Sequence, residues 1–388
     1  MIQRQIQTRL LEEIGFYPAV AIVGPRQVGK TTLAHYLETV LNRPTLFLDL
    51  QEPQTQKIFE ADDITFLQAH TDKTIIIDEI QLRPQLFSVL RPLIDKDRRA
   101  GRFILLGSSS PTLMRHAAET LAGRIHYSEL TPFSLLEAHT IATQQEHWFF
   151  GGFPEAIKAK GTRFAQQWLG NYIRDFVYRD LRTLGYDLNV ESIKRLLMML
   201  ASVQSGLLNI SDLSRSLNLS RPTLNKHIEI LEQAFLIDVL PPYSTNISKR
   251  LVKSPKVYIR DTGILHTLLE IRSYEHLLSH ISLGASWEGY VIEQIRRCAV
   301  PEWQFFFYRT QSGAEADLFA ISPTGYKICI EIKHSLAPSI SKGFYESVKD
   351  LSPDASYVII PEGQQYITKD LITVIPLMSF LGDILPGL

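Results

Sequence analysis

Cysteine is nearly absent: Cys298 and Cys329 are the only two in 388 residues. Two thiols cannot build a disulfide framework or a cysteine zinc site, and a small buried thiol is the ordinary state of each. Long apolar runs are missing too. No apolar stretch of about eighteen residues, the length that crosses a bilayer, occurs. The opening Met1-Ile2-Gln3-Arg4-Gln5 is followed by no apolar segment of signal-peptide length, so a cytoplasmic chain without membrane contact is expected. Nor is there an excess of charge. The formal net charge of -1 supplies no whole-molecule field for nucleic acid, and any such binding must come from a local patch. Internal repeats and low-complexity tracts are also absent.

What is present is ordinary globular material, 45% hydrophobic and 21% charged, over a length that suits two or three packed domains. Across residues 1–135, short apolar runs alternate with amphipathic stretches, the pattern of a parallel sheet flanked by helices. Five strands are expected, at Ala19 to Val23, Thr45 to Leu48, Thr74 to Ile77, Phe103 to Leu106 and roughly Arg124 to Leu130. Helices should start near Lys30, Pro53, Gln85 and Pro111. The runs Ile75-Ile76-Ile77 and Ile104-Leu105-Leu106 suit strands buried on both faces. Residues 136–189 read as a helical linker region, with a turn at Gly151-Gly152-Phe153-Pro154 and a helix from Phe164 to Leu184. Residues 190–262 give helix (Val190 to Ser205), helix (Ser211 to Leu217), turn, helix (Arg221 to Phe235) and two β segments, the order of a winged helix-turn-helix. Residues 263–388 read as a separate α/β domain, with a helix from Trp287 and strands at Gln304 to Tyr308, Ala314 to Ile321, Lys327 to Lys333 and Ser356 to Ile360.

One motif carries chemistry outright. Gly24-Pro25-Arg26-Gln27-Val28-Gly29-Lys30-Thr31 fills the pattern G-x-x-x-x-G-K-[ST] between an apolar strand and a helix-forming stretch, the context that a phosphate-binding P-loop requires. Its glycines let backbone N–H groups curl around phosphates at a helix N-terminus. Lys30 would reach the β- and γ-phosphates of ATP, Thr31 would give its hydroxyl to Mg²⁺, and Thr32 would touch the α-phosphate. Further on, Thr74-Ile75-Ile76-Ile77-Asp78-Glu79 ends a buried strand in two acids, at the sheet edge where ligands bind. Asp78 suits a direct or indirect Mg²⁺ role, and Glu79 falls beside the γ-phosphate, where a carboxylate orients the attacking water. The pair argues for hydrolysis as well as binding. Gly107-Ser108-Ser109-Ser110 ends the next strand and sets hydroxyls level with Glu79. Ser108 is the expected γ-phosphate sensor, while Ser109 and Ser110 either share that role or cap the following helix. Arg124, in Leu121-Ala122-Gly123-Arg124, is placed to stabilise γ-phosphate charge in its own subunit or a neighbour's, with Arg115 as a competitor and a surface arginine without a role as the alternative for either.

From Asn171 to Arg260 thirteen basic residues stand against eight acidic ones, a surplus that fits a nucleic-acid-facing surface, a solvated face or an interdomain contact. Within it, Ser220 caps a helix with Pro222 in its first turn, the place of a recognition helix. Arg221, Thr223, Asn225 and Lys226 would face a DNA major groove, and Lys249, Arg250 and Lys253 would grip phosphates. Units of this kind also serve as protein or interdomain contacts.

Near the C-terminus, strict alternation in Lys327-Ile328-Cys329-Ile330-Glu331-Ile332-Lys333 puts Glu331 and Lys333 on one face and the isoleucines on the other, buried one. The same rule groups Glu315 with Asp317 in the preceding strand. Two acids and a lysine across adjacent strands suggest a second divalent-metal site, with Asp317 and Glu331 as ligands, Lys333 as the activating cation and Glu288 as a third carboxylate.

Together these motifs resemble a widespread prokaryotic group of AAA-superfamily ATPases. The likeness rests on the P-loop, on Ile76-Ile77-Asp78-Glu79-Ile80-Gln81, Gly107-Ser108-Ser109, Leu121-Ala122-Gly123-Arg124 and Gly151-Gly152-Phe153-Pro154-Glu155. It continues through Ser248-Lys249-Arg250-Leu251-Val252-Lys253-Ser254-Pro255-Lys256-Val257-Tyr258, Asp261-Thr262-Gly263 and Gly313-Ala314-Glu315-Ala316-Asp317. The resemblance implies ATP binding and hydrolysis, a connection to DNA, and a C-terminal domain similar to restriction endonucleases. Glu288, Asp317, Glu331 and Lys333 are similar to the active site of such nucleases. The expected fold is therefore α/β throughout: a P-loop NTPase parallel sheet, a helical and winged-helix part, and a restriction-endonuclease-like α/β domain. ATP, Mg²⁺ and DNA are the expected ligands and a homo-oligomer is allowed. The competing expectation is a regulatory or defence switch that binds DNA or protein without cutting DNA.

Overall fold

A computed structural model of the chain describes residues 2–110, 121–159, 161–181, 189–244 and 251–388. In space the chain gathers into two compact units, each built from several segments. Met1–Pro132, Asp175–Leu188 and Glu229–Leu236 form the first, and Phe133–Arg174, Asn189–Ile228 and Ile237–Leu388 form the second.

The first unit holds five parallel strands, β1 (Ala19–Val23), β2 (Thr45–Asp49), β3 (Thr74–Asp78), β4 (Phe103–Gly107) and β5 (Ile125–Glu129), in the order β2-β3-β4-β1-β5. All five expected strands are present. β1, β3 and β4 are buried along their whole length, because crossover helices cover both faces of a parallel sheet. Each fully buried isoleucine of β3 contributes roughly 1.5–3 kcal/mol of burial. Helices Lys30–Val40, Pro53–Ala69 and Leu86–Lys96 begin where, or within one residue of where, the pattern places them. The helix expected near Pro111, and Arg115 with it, lies outside the described residues. Helix Gln7–Phe16 is an addition that periodicity does not flag. The register sets Val23 opposite Gly107 and Asp49 opposite Asp78. The ends of β1, β4 and β3 thus lie side by side at one edge.

In the second unit, helices Val190–Ser202, Ile210–Leu217 and Arg221–Gln233 are followed by the antiparallel pair β6 (Ile237–Leu240) and β7 (Lys256–Ile259). Side chains cap all three helices: Asn189 accepts from Ser192 N, Asn209 from Ser211 N and Asp212 N, and Ser220 Oγ from Thr223 N. The third helix begins in the second unit, and its residues from Glu229 onward belong to the first. The expected helix from Phe164 runs over Thr162–Asp175 and continues as the π-wound turn Phe176–Asp180.

A six-stranded mixed sheet completes this unit. It comprises β8 (Gln304–Arg309), β9 (Glu315–Ile321), β10 (Lys327–Ile332), β11 (Ala355–Ile360), β12 (Tyr366–Ile367) and β13 (Thr373–Pro376), in the order β12-β13-β11-β10-β9-β8. Strand β10 departs from the expected one-sided burial. Its isoleucines pack with Trp287 and Leu318, while Cys329 packs on the opposite face with Phe344 and Val358. Helix Lys342–Leu351 brings Phe344 onto the face that alternation alone would leave to solvent. Among the described residues no helix is long and apolar enough to cross a membrane.

Candidate functional site

Strand β1 ends at Val23 and the chain turns into the P-loop. A Cβ on Gly24 would stand 2.2 Å from Leu130 O, and Leu130 N is itself tied to Val23 O at 2.7 Å. Only glycine fits there. Gly29 adopts φ 96°, the left-handed turn that launches helix Lys30–Val40. Lys30 is buried, and its Nζ donates to Gly24 O at 2.9 Å and Pro25 O at 2.8 Å. Burial pushes this ammonium down to about 8, with Glu79 and Asp78 pulling the other way. An ammonium folded onto its own loop, next to a helix N-terminus, is ready for an anion. Behind the loop, the buried Arg4 donates to Val28 O at 3.0 Å and Thr131 O at 2.6 Å.

The acidic pair lies against this loop. Thr31 Oγ1 donates to Asp78 Oδ2 at 2.7 Å, and Glu79 N donates to Asp78 Oδ1 at 2.8 Å. Burial raises the Asp78 carboxyl above its usual range, and the Thr31 hydrogen bond opposes that rise. Thr32, the next residue, is exposed. A hydroxyl and a carboxylate so paired fit Mg²⁺, a hard cation that takes oxygen ligands. Glu79 sits in the left-handed region at φ 57°, a conformation that costs a non-glycine residue roughly 1–2 kcal/mol. Its carboxylate accepts from Gln81 Nε2 and, at 3.3 Å, from Ser108 Oγ, while Gln81 Oε1 accepts from Ser108 N at 3.1 Å. The structure thus brings Ser108 and Glu79 together. The Ser109 and Ser110 hydroxyls are buried without a hydrogen-bond partner among the described residues.

Arg124 is placed elsewhere. Its guanidinium makes a two-point pair with Asp95, Nε to Oδ1 at 2.7 Å and Nη2 to Oδ2 at 2.9 Å. Asp95 lies on helix Leu86–Lys96, so this cation is committed to a neighbouring helix. Two other arginines, one of them in the loop itself, meet at Asp180. Arg26 pairs with the buried Asp180 of the turn Phe176–Asp180, and Arg179 Nε donates to the same carboxylate at 3.1 Å. Arg179 also feels the charge of Glu79: its guanidinium is held above its usual value by Asp180 first and, more weakly, by Glu79. Gln81 has a signal in the sequence, the Asp-Glu-Ile-Gln run. Arg4, Asp180 and Arg179 have none, because their meaning depends on contacts far along the chain.

In the second unit, Arg221, Thr223, Asn225 and Lys226 are all exposed on helix Arg221–Gln233, and Lys253 is exposed too. Leu224, His227 and Ile228 are buried on the other side of that helix. Lys249 and Arg250 lie outside the described residues.

The C-terminal acids meet around a cation to which spacing along the chain gives no role. Lys256 of β7 is 3% exposed. Its ammonium lies 2.9 Å from Glu288 Oε1, 3.4 Å from Glu315 Oε1 and 3.9 Å from Asp317 Oδ1. Tyr258 OH donates to the same Glu288 oxygen at 2.7 Å. Asp317 Oδ2 accepts from Ile332 N at 2.8 Å. Burial and then Glu288 raise the Asp317 carboxyl to about 7. Glu331, on the same sheet face as Asp317 by the β9–β10 register, has Lys333 Nζ at 2.9 Å and Ser341 N at 3.4 Å. The charges of Glu331, Asp317 and Glu288 all favour the protonated Lys333, and among the described residues no group of three acidic, histidine or cysteine side chains is arranged to hold a metal ion.

Comparison with known proteins places these observations. Residues 17–139 match the AAA domain family, residues 141–275 a domain of unknown function (DUF8612), and residues 283–380 another (DUF4143). Uncharacterized protein Rv2008c of Mycobacterium tuberculosis is 34% identical over 374 residues, spanning 96% of this chain and 83% of that protein. Uncharacterized protein Mb2031c of Mycobacterium bovis gives the same figures, 34% over 374 residues with 96% and 83% covered. Among solved structures, the Walker-type ATPase PABY2304 of Pyrococcus abyssi aligns with a TM-score of 0.44 at 15% identity, over 69% of this chain and 96% of that one. The chain belongs to one family with these mycobacterial proteins, and within it residues 17–139 form an AAA-type P-loop ATPase domain.

Proposed function

We propose that the chain binds Mg-ATP through Gly24 to Thr32, hydrolyses it with Glu79, and passes the nucleotide state to helix Arg221–Gln233, whose exposed Arg221 and Lys226 engage DNA. The observation that carries the first part is the contact of Thr31 with Asp78 beside the buried Lys30. In this reading Thr31 and Asp78 hold Mg²⁺, which supplies positive charge to the phosphate oxygens. Lys30 leaves its two loop carbonyls for the β- and γ-phosphates. Glu79 orients water once it is released from Gln81 and Ser108, and Arg179, paired with Asp180, is a candidate to meet charge near Glu79.

Support for the link to DNA comes from a contact at the far end of helix Arg221–Gln233, an end that lies in the first unit. Ser108 touches Glu79, and two residues on, Ser110 N donates to Gln233 O at 3.1 Å. Gln233 ends the helix whose opening turns expose Arg221, Thr223, Asn225 and Lys226. In this reading a shift of the β4 loop on γ-phosphate binding is felt at Gln233, the end of that helix within the same unit. Phosphate release should be measured for wild type and Lys30→Ala, with and without duplex DNA at low salt. Turnover that is lost in Lys30→Ala and changed by DNA is expected. Turnover equal in both proteins would sink the site, and a rate indifferent to DNA would confine the helix to protein contacts.

A further inference from the structure

We infer that the ammonium of Lys256 stands where a divalent cation would stand among Glu288, Glu315 and Asp317, so that the C-terminal acidic cluster is a metal-independent lock and not a cleavage centre. Three partly buried carboxylates gathered in one place repel one another and require a cation. A lysine ammonium offers three N–H donors, and Lys256 has three carboxylates within 3.9 Å. A divalent ion such as Mg²⁺ needs oxygen ligands at about 2.1 Å. No ion can take those distances while the ammonium occupies the centre, because the two cations would compete for the same oxygens.

Nor can the ammonium step aside easily. Lys256 is buried inside a β strand, with Val257 and Ile259 fully buried beside it and the Phe307 ring 5.6 Å from Nζ. One oxygen of each neighbouring acid is also engaged: Asp317 Oδ2 by Ile332 N, Glu288 Oε1 by Tyr258, and Glu331 Oε1 by Lys333. Arg309, 3.6 Å from Glu315, adds a second positive charge at the open side. The result ties β7 to helix Leu283–Cys298 and to β9 through one charge. This inference is independent of the nucleotide reading.

The test uses the full chain without nucleotide. Mn²⁺ binding is followed by its electron paramagnetic resonance, and thermal unfolding is recorded in EDTA and in excess Mn²⁺. Wild type should bind no Mn²⁺ at this cluster and should melt at the same temperature in both. Lys256→Ala should melt lower in EDTA and recover by on the order of 5 °C in Mn²⁺, a recovery absent when Asp317→Asn is added. One tight Mn²⁺ per wild-type chain that disappears in Asp317→Asn would overturn the inference. So would a Lys256→Ala protein that melts like wild type and ignores the metal. Should Lys256→Ala fail to fold, the wild-type Mn²⁺ measurement decides alone, and Lys256→Arg, which keeps the charge, should fold and remain indifferent to Mn²⁺.

Discussion

Mild acid should loosen the second unit, and the size of the effect follows from two buried imidazoles. His147 Nε2 donates to Phe133 O at 2.9 Å while its Nδ1 accepts from the Tyr290 hydroxyl at 2.8 Å. His266 Nδ1 donates to Phe149 O at 2.9 Å, and its Nε2 accepts from Ser286 Oγ at 2.7 Å. Each ring is thus satisfied in the neutral form, which burial favours. Burial lowers His147 to about 3 and His266 to about 4, against about 6.5 in an unfolded chain. A depressed histidine leaves the folded state with fewer bound protons, so its stabilisation is complete above the unfolded value and is lost as pH falls.

Between about pH 6.5 and 4 each ring costs about 1.4 kcal/mol per pH unit, or about 4 kcal/mol for the two together by pH 5. Asp317 and Asp261 oppose this, because a raised carboxyl takes up protons in the folded state. The decisive quantity is therefore a difference between proteins. Urea unfolding at pH 7, 6 and 5, followed by tryptophan fluorescence, reads this unit alone, since Trp148, Trp168, Trp287 and Trp303 all lie in it. Stability should fall with pH less steeply in His266→Asn than in wild type, by about 1.4 kcal/mol per unit. Asp317→Asn should make the fall steeper. Equal slopes in wild type and His266→Asn would refute the reasoning.

Other expectations concern the nucleotide and DNA surfaces. Glu79→Gln should still bind Mg-ATP, measured with a fluorescent nucleotide, but hydrolyse it on the order of 100-fold more slowly. Arg124→Ala should leave turnover within about twofold of wild type, since its partner is Asp95. A large loss would return Arg124 to the γ-phosphate. Replacing Arg221 and Lys226 together by alanine should reduce the slope of log affinity for DNA against log salt by about 0.9 for each phosphate that the helix no longer neutralises. An unchanged slope would remove this helix face from the interface.

Much of the first unit is legible in the sequence because its signals are local. Three consecutive isoleucines in β3 and the glycine spacing of the P-loop each depend on neighbours in sequence, and both fall where pattern puts them. What alternation cannot reveal is a second cover. Cys329 and Glu331 have the spacing of an outward face of β10, but helix Lys342–Leu351 buries that face too. Helix Leu283–Cys298 starts four residues before the expected Trp287, because Gly284, Ala285 and Ser286 weaken the periodic signal. Arg124 and Lys256 show the harder limit. Their partners Asp95 and Glu288 lie on distant helices, and a side chain's charge partner is fixed by the fold, not by spacing along the strand.

The division of the chain into two units carries a consequence for how such a protein can be cut or inherited. The backbone leaves the first unit after Pro132, returns at Asp175, leaves after Leu188, returns at Glu229 and departs finally after Leu236. A single protease nick after Pro132 would therefore release no intact half, since the severed piece would carry away Asp180, which pairs with Arg26 of the P-loop, and Phe235, which is part of the first unit's core. For the same reason, a recombination event that swapped residues 133–388 for another module would strip the nucleotide unit of its own parts. Interlacing of this sort favours inheritance of the chain as one piece, in keeping with a likeness to the mycobacterial proteins that covers 96% of the chain.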